Sequence, residues 1–356
     1  MDAAALRAEF PVLNTLAYLN AGTDGPVPAK AVAAARAALD SQLNEGRFMS
    51  HFEARRDGQA ALREAYARVL GCPVADVALK SSTSDGIGSV LAGLDLAPGD
   101  EIVTSDSEHP GLVGPLVAAR ARGVKVVAVP LRDTADAVTK HTTLVALSHV
   151  SWVTGELAPA ALGELDIPVV LDGAQSAGAI PLDMERLGCA AYAAAGQKWL
   201  CGADGTGLLY IAPEVRERVR TVAPAYLSFQ DASRGLDAEL HKDARRYDAP
   251  SLSREGVAFT VAAVAVLESY GLAAVHERAI GLAARLADAL RERGRNVAPR
   301  ADTSLVAWED PDPEAARERI SGAGIVIRHL PGTPYVRASV GAWNDESDLE
   351  RLLRAL

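Results

Sequence analysis

The stretch from Ile167 to Tyr210 constrains the fold of this chain more than any other. It opens with IPVVLDGAQSAG, an apolar run rich in β-branched residues that is followed at once by Asp172, glycines and small polar residues. This pattern predicts a buried strand that delivers Asp172 to its carboxyl end. The stretch closes with AAAGQKWLCGADGTGLLY, where Lys198 lies among glycines ahead of a second apolar strand. A lysine walled by small residues loses hydration, which lowers its pKa and favours the nucleophilic neutral amine.

An acid at a strand end and a lysine in a glycine-rich turn together favour a site for pyridoxal 5'-phosphate (PLP). This cofactor needs a lysine to form a Schiff base with its aldehyde and a carboxylate to keep its ring nitrogen protonated. For an arbitrary pair of residues, a helix cap at Asp172 and a solvated Lys198 would be the better interpretation. The glycines and small residues around both side chains favour the cofactor.

The motifs DGAQSAG and GQKWLCGADGTG resemble the class V aminotransferase family of fold type I PLP enzymes. That family includes cysteine desulfurases, cysteine C-S lyases, isopenicillin N epimerase and kynureninase. The resemblance runs from YLNAG near the start to VRAS near the end. It implies an α/β fold with a large domain, built on a mostly parallel seven-stranded sheet flanked by helices, and a small C-terminal α/β domain. We expect the PLP-binding domain over residues 15–255 and the small domain over residues 1–14 and 256–356.

Composition narrows the partners of the chain. A net charge of -10 and a pI of about 5.3 argue against nucleic acid, because an acidic surface repels phosphate backbones. No apolar run reaches the roughly 20 residues that a membrane span requires, and no secretion signal opens the chain, which favours a cytoplasmic protein without a membrane partner. Three cysteines without a CxxC pair indicate neither a disulfide framework nor a metal site. The expected partner is a small amino-acid substrate.

A phosphate site is expected where VALKSSTSDGIGSVLAGL passes from strand to turn to helix. Unpaired N–H groups at a helix start bind phosphate together with hydroxyls, although a Ser/Thr cluster there is more often a simple N-cap. The resemblance implies that Thr83 and Ser84 contact the cofactor phosphate. It also places Gln197 where many relatives carry a histidine that touches the same group, and an amide N–H can replace that contact without charge.

Further residues expected to line the site lie in three other segments and at Gln175. In DSEHPG, the resemblance implies that His109 stacks on the cofactor ring and serves as a proton carrier. In SHVSWVTG, Trp152 replaces the asparagine of desulfurases, as in lyase-like and epimerase-like relatives. Gln175 can still bond the phenolic oxygen of the cofactor. Asn20 and Ala21, in the YLNAG loop, are expected to contact the substrate.

The C-terminal third supplies the expected carboxylate site. Arg337 in VRAS matches the arginine with which the family binds the substrate carboxylate in a two-pronged pair, and Arg328 precedes it on IRHLPGTPYVRAS. In ARRYDAPSLSREG, Ser251 resembles the residue that reaches the phosphate of a neighbouring subunit. The resemblance therefore implies a homodimer with shared active sites, which is the common assembly of soluble enzymes.

The choice of reaction rests on a missing thiol. Desulfurases carry a cysteine nucleophile shortly before the carboxylate-binding arginine, and the segment IRHLPGTPYVRAS has none. Cys201, three residues after Lys198, is interpreted as part of the wall, since free cysteines are most often buried packing. We therefore expect Lys198, Asp172 and His109 to catalyse cleavage of a Cβ–S bond in a cysteine- or cystine-type substrate. An aminotransferase, an epimerase and a non-catalytic PLP-binding protein are the alternatives, of which the last is disfavoured.

Overall fold

The computed structural model describes residues 1–356. Its strands and helices alternate along the chain, and the strands form a seven-stranded, a three-stranded and a two-stranded sheet. The strands are β1 Ala17–Tyr18, β2 Val77–Lys80, β3 Glu101–Ser105, β4 Lys125–Val129, β5 Thr142–Ser148, β6 Val169–Asp172, β7 Ala191–Ala195, β8 Gly207–Ile211, β9 Leu305–Glu309, β10 Ile325–Val326, β11 Arg328–His329 and β12 Tyr335–Ser339. The helices are α1 Ala3–Ala8, α2 Ala29–Glu45, α3 Met49–Leu70, α4 Thr83–Gly93, α5 Pro110–Ala121, α6 Met184–Leu187, α7 Pro213–Arg216, α8 Arg254–Ser269, α9 Leu272–Glu292, α10 Pro313–Gly322 and α11 Glu346–Ala355.

The larger sheet has seven strands in the order β2-β8-β7-β6-β5-β3-β4. Only β8 runs antiparallel to its neighbours β7 and β2, and the remaining pairs are parallel. Every residue of β2, β6, β7 and β8 is buried, since helices cover both faces and two apolar clusters fill the spaces between. The predicted fold class, a mostly parallel seven-stranded sheet flanked by helices, is confirmed.

The sheet order explains why one edge of this sheet carries the polar residues. Because β8 is antiparallel to both neighbours, β2 points the same way as β7, β6, β5 and β3. The carboxyl ends of these five strands therefore meet at one edge, where open α/β sheets bind ligands. The segments at these ends carry Thr83, His109, Trp152, Asp172 and Lys198, which the sequence predicted as site residues.

A second layer is formed by C-terminal residues together with the start of the chain. Strand β12 pairs antiparallel with β11 and β9, and β1 pairs in parallel with β10. A bridge between Asn20 and Ser339 ties the chain after β1 to the end of β12, and helices α9, α10 and α11 cover an apolar cluster of their own. The division into residues 15–255 and the flanking segments stays a prediction.

No single helix is both long enough and apolar enough to cross a membrane. Only the pair α8 and α9, bent by 80° at their junction, satisfies both requirements when taken together.

Candidate active site

Lys198 lies at the carboxyl end of the large sheet, near charged groups from both the large and the small sheet. The turn after β7 carries Gln197 and Lys198, and β6 ends at Asp172. The charges of Asp172, Arg337, Asp24 and Arg328 all act on the Lys198 amine. Burial lowers the pKa of Lys198, Arg337 and Arg328 lower it further, and the two acids oppose them. The amine predicted from the sequence is thus drawn out of water and surrounded by charge.

Asp172 lies at the end of a fully buried strand and is itself buried. Its Oδ1 atom accepts the N–H of Ala174 at 2.9 Å, so the carboxylate is fixed by the turn that follows it. Burial raises the pKa of Asp172, while the positive charge of Lys198 and that hydrogen bond lower it. A buried acid with few donors of its own requires a cationic or N–H partner.

A buried polar network supports this strand end. The His149 Nδ1 atom lies 3.2 Å from Ser176 Oγ, which lies 2.6 Å from Tyr192 Oη. The backbone N–H of His149 donates to the Asp172 carbonyl at 2.9 Å. Burial lowers the pKa of His149 to about 4, so its imidazole is neutral near pH 7. The network therefore holds the Asp172 turn without introducing a competing charge.

The predicted phosphate site is a helix start with unpaired polar groups. Ser82 caps α4 by accepting the N–H of Asp85 at 3.1 Å, which leaves other first-turn N–H groups free. Thr83 is buried and its Oγ1 atom has no hydrogen-bond partner. Ser84 is exposed, and a Cβ atom on Gly111 would lie 2.6 Å from its Oγ atom. The Ser82 cap therefore leaves an unpaired hydroxyl and unpaired N–H groups at the start of α4, and their contact with a phosphate stays a prediction.

Gln197 contributes a second unpaired polar group. Its Oε1 atom is buried without a hydrogen-bond partner. A 180° rotation of the amide would put its N–H₂ group in the same place, so a donor can point there. Few buried polar atoms lack partners in folded proteins. Thr83 Oγ1 and Gln197 Oε1 are two of the fourteen buried side-chain atoms that lack a partner in this structure, and both occur on residues expected to hold phosphate.

His109 and Trp152 form an aromatic corner. Their ring centroids are 5.2 Å apart and their planes stand at 89°. The Gly111 N–H donates to His109 Nδ1 at 3.0 Å, and Trp152 Nε1 donates to the Ser107 carbonyl at 2.8 Å, so both rings are fixed. Burial, aided by the positive charges of Lys198, Arg328 and Arg337, lowers the pKa of His109 to about 4. His109 is therefore neutral near pH 7.

Arg337 is buried to 1 % exposure and lies in β12, with Arg328 as its register partner on β11. One Arg337 nitrogen donates to the Trp152 carbonyl, and Nε has no partner. Burial, together with the charge of Arg328, lowers the pKa of Arg337 to about 9, which still leaves it cationic near pH 7.

The charged side chains of the site form no salt bridge within the chain. These side chains are Asp24, Asp172, Lys198, Arg328 and Arg337.

The loop after β1 passes between these groups at close range. A Cβ atom on Gly22 would lie 2.7 Å from Ser339 Oγ, 2.8 Å from Gln175 Oε1 and 2.9 Å from Arg337 Nη2, so only glycine fits. Gln175 donates to the Gly22 carbonyl at 2.7 Å and accepts from Trp199 Nε1 at 3.0 Å, which leaves one amide N–H free. Ala21 is buried and Asn20 partly buried beside this contact.

Two further residues singled out from the sequence, Ser251 and Cys201, do not face the space around the Lys198 amine. Ser251 is exposed, and its hydroxyl accepts from Arg55 Nη2 at 2.9 Å, so its expected contact with a second copy of the chain stays a prediction. Cys201 is near Lys198 but 1 % exposed, with a left-handed φ of 53°. Burial raises the pKa of its thiol well above the ordinary value, which fits the interpretation as wall packing.

Sequence reasoning missed two acids. Glu108 is held by Ser105 Oγ at 2.6 Å and the Ser148 N–H at 2.9 Å, and so ties the end of β3 to the end of β5. Asp24 acts on Lys198 through its charge, although it lies far from it in the chain. The signal for Glu108 was its place beside His109. For Asp24 the only signal was an acid within a glycine-rich loop.

The site has two parts. The strand-end cluster consists of Thr83, Asp172, Gln197 and Lys198. The arginine wall consists of Trp152, Arg328 and Arg337. The cluster lies at or just after the carboxyl ends of β2, β6 and β7 of the large sheet, whereas both arginines lie on the small antiparallel sheet.

Known proteins resemble the chain over almost its whole length. Residues 17–352 match the family described as Aminotransferase class-V. Isopenicillin N epimerase of Streptomyces clavuligerus is 29% identical over 96% of this chain and 94% of its own length. Cysteine desulfurase CsdA of Escherichia coli is 28% identical over 99% and 96%.

Solved structures give the same result. The cystine C-S lyase C-DES, in complex with its product cysteine persulfide, superposes with a TM-score of 0.91 at 26% identity, over 97% of this chain and 98% of its own. A mutant of C-DES with glycine covalently linked to its PLP cofactor gives 0.92 at the same identity, over 98% of both chains. The chain belongs to the class-V aminotransferase family and is a PLP-dependent enzyme.

Proposed function

We propose that this enzyme cleaves the Cβ–S bond of a cysteine- or cystine-type amino acid without a thiol nucleophile of its own. One observation supports the proposal: the site has a lysine, a buried acid and a buried arginine, but its cysteine, Cys201, is buried and its thiol pKa is raised. Cys189 and Cys201 are buried and Cys72 is half-buried. Burial raises the pKa of Cys72 and Cys189 to about 12 and that of Cys201 well above its ordinary value.

The strand-end cluster would hold the cofactor. Thr83 and Gln197, with the free N–H groups of α4 and the hydroxyl of Ser84, would bind its phosphate. Asp172 would pair with the protonated ring nitrogen, His109 would lie against the ring, and Gln175 would donate its free N–H to the phenolic oxygen. When bound, PLP supplies an electron sink for the charge that develops on the α-carbon of the substrate.

Arg337 would orient the substrate. Its guanidinium is buried and keeps an unpaired Nε–H beside the Nη groups, which is the fork that binds a carboxylate by two hydrogen bonds. Trp152, Asn20 and Ala21 would line the same space. The substrate α-carbon would then be held near the Lys198 amine, whose lowered pKa increases its neutral, proton-accepting form near pH 7.

The overall reaction on cystine balances with one water. Loss of the α-proton and of the Cβ–S bond electrons to sulfur yields, after hydrolysis, pyruvate, ammonium and cysteine persulfide. Lys198 would take the α-proton. No group of the protein needs to accept sulfur, so the absence of a thiol in IRHLPGTPYVRAS is consistent with the chemistry.

An epimerase is the second candidate, because of the 29% identity to isopenicillin N epimerase over nearly the whole chain. Epimerisation requires an acid that returns a proton from the face opposite the base. His109 is the ring expected there, and with a pKa of about 4 it carries no extra proton near pH 7. The lyase is preferred because the cystine C-S lyase C-DES superposes with a TM-score of 0.91 over 97% of this chain. An aminotransferase reaction has no such specific support.

The test is incubation of the PLP-loaded enzyme with L-cystine, L-cysteine and L-alanine, each with and without a second keto acid. We expect pyruvate and sulfane sulfur from cystine, and neither product from the Lys198→Ala variant. That variant should also lose the visible absorption band of the lysine-bound cofactor. Inversion of L-alanine without sulfur release would support the epimerase, and a keto acid formed only with a second keto acid would support the aminotransferase.

We further propose a homodimer. Apolar side chains are exposed at Phe48 (72 %), Met49 (71 %) and Tyr226 (77 %), and such a patch is typical of a protein interface. Ser251, exposed on Pro250–Leu252, would reach the phosphate of the second subunit. Sedimentation should give twice the chain mass, and Ser251→Ala should weaken PLP binding without dissociating the dimer. The cytoplasmic location also stays a prediction.

A further inference from the structure

A second lysine of the large sheet is buried where β2 passes into α4. Lys80 ends β2 and is only 5 % exposed, so its ammonium is almost removed from water. Its Nζ atom lies 2.9 Å from Asp85 Oδ1 and donates to Ser89 Oγ at 2.9 Å and to the Tyr247 carbonyl at 3.2 Å. All three N–H groups therefore have acceptors, which is the condition under which a charge can stay buried.

Asp85 carries the matching charge on the first turn of α4. Its Oδ2 atom accepts from the backbone N–H and the hydroxyl of Ser81, both at 3.0 Å, and its own N–H donates to Ser82 Oγ at 3.1 Å. Burial raises the pKa of Asp85, but the hydrogen bonds from Ser81 and the charge of Lys80 lower it below its ordinary value, so Asp85 is a carboxylate near pH 7. Lys80 and Asp85, here called the turn clamp, therefore close the turn from Ser81 to Ser84.

The other charged residues beside the turn clamp have partners of their own. Asp248 and Arg220 line the same cavity as the clamp. Asp248 pairs with Arg63 at 2.7 Å, and Arg220 pairs with Asp95 at 3.1 Å. The lysine of the clamp is therefore the cation that neutralises its acid.

An unbalanced acid at this place would oppose phosphate binding. The expected phosphate contacts, Thr83 and Ser84, directly precede Asp85 in the chain, and Ser84 lines the same cavity as the clamp. A carboxylate on the first helical turn is attracted by the same positive end of the helix dipole as a phosphate, and two nearby negative charges disfavour each other. Lys80 removes this conflict, because it cancels the charge of Asp85 while the carboxylate still holds the turn.

We propose that Lys80 is a positioning residue for the cofactor phosphate. Through Asp85 it holds the turn from Ser81 to Ser84, and it keeps the charge of that acid from repelling the phosphate. The inference rests on the proposed phosphate site at the start of α4. Because all three N–H groups of Lys80 are occupied, the lysine acts through Asp85 and not by direct contact with the phosphate.

Titration of the apoenzyme with PLP and with pyridoxal, which lacks the phosphate, tests the proposal. Lys80→Met should weaken PLP binding by about tenfold or more, because the acid of the clamp is then unbalanced, and should change pyridoxal binding by less than about twofold. Unchanged PLP binding would overturn the proposal. Equal weakening of both ligands would also overturn it, since the effect would then not act on the phosphate.

A second substitution separates charge from structure. In the Lys80→Met background, Asp85→Asn removes the unbalanced charge and should restore PLP binding to within about twofold of the unaltered chain. Asp85→Asn alone should bind PLP at least as tightly as the unaltered chain, and it tests the proposal even where Lys80→Met does not fold. A persistent loss in the double variant, or a tenfold loss in Asp85→Asn alone, would show that the clamp has only a structural role.

Arg216→Met is the matched control. Arg216 and Asp76 form another buried ion pair, at the opposite end of β2. This variant should lower the free energy of unfolding without changing the ratio of PLP affinity to pyridoxal affinity. An equal change of that ratio in Arg216→Met and Lys80→Met would assign the effect to any lost ion pair and would overturn the role of Lys80.

Phosphorus-31 NMR of the PLP-loaded protein observes the phosphate without any reaction. In Lys80→Met the unbalanced acid should raise the phosphate pKa above its usual value of about 6, so that the signal shifts between about pH 6 and 8. The signal of the unaltered chain should stay constant over that range. Identical titrations of the two proteins would contradict the proposal.

Thr83→Val distinguishes failure of this inference from failure of the phosphate site. If Thr83→Val weakens PLP binding but Lys80→Met does not, the phosphate site stands and the role of Lys80 fails. If neither variant weakens PLP binding, the phosphate lies elsewhere, and the proposed site fails together with the inference. Weaker PLP binding in both variants, with pyridoxal binding unchanged, is the expected result.

Discussion

The strand-end cluster and the arginine wall are built on opposite principles. In the cluster, each side chain follows the end of a strand of one sheet, and unpaired atoms such as Thr83 Oγ1 are neutral. In the wall, Arg328 and Arg337 are charged, come from a separate sheet and lack acidic partners. With the roles proposed above, cofactor binding would depend on local strand–turn–helix geometry, whereas substrate choice would depend on how two layers of the fold meet.

The largest expected effect separates the wall from the cluster. Arg337→Gln should lower kcat/KM by about 10²–10³-fold, because a buried charge pair with the substrate carboxylate is lost. Arg337→Lys keeps the charge without the two-pronged geometry and should lose less. Titration of the apoenzyme with PLP is the second measurement, and its dissociation constant should change little. An equal loss of PLP affinity would show that the two regions are one unit.

A second prediction concerns the polar network under the cluster. The pKa of His149 is lowered by burial to about 4, so between pH 6.5 and 4 the unfolded chain binds a proton that the folded chain does not. The free energy of unfolding is therefore not reduced by His149 above about pH 6.5. It falls as pH decreases from 6.5 towards 4, and the total loss has an upper limit of about 3 kcal/mol. His149→Asn should flatten the decrease, measured by denaturant unfolding at several pH values.

The control for this prediction is His141→Asn, since His141 is exposed. His109 and His276 also have pKa values lowered to about 4, so His149→Asn should remove only part of the acid sensitivity. An unchanged pH profile in His149→Asn would contradict the assignment of a buried neutral imidazole beside Asp172.

The smallest expected effect tests the cluster directly. Thr83→Val removes the unpaired hydroxyl with little change of shape and should weaken PLP binding about tenfold, the value of one hydrogen bond to a charged group. KM for the amino acid should stay within about twofold if the wall is independent. Thr104→Val is the matched control, because Thr104 Oγ1 in β3 is also buried and unpaired. Equal effects of both variants would remove the phosphate role from Thr83.

Much of the fold could be predicted from short patterns. The apolar run before Asp172 indicated a buried strand, and SSTSDG indicated a helix start, which are β6 and α4 in the structure. The antiparallel direction of β8 could not be predicted, because its fully apolar sequence fits a buried strand in either direction. The position of β2 beside β8 likewise depends on pairing between residues that are 127 to 133 positions apart in the chain.

The sequence by itself determined the chemistry of the site and the elements that carry it. Lys198 among glycines and Asp172 after a β-branched run are local patterns, since hydration loss and strand burial depend on near neighbours. Only the tertiary structure brought the charge of Asp24 near Lys198, paired Arg328 with Arg337 and packed Gly22 against Gln175. Those contacts join segments more than 150 residues apart, except for the arginine pair, whose meeting depends on strand register. Register and layer packing are set by the whole core, so no local pattern encodes them.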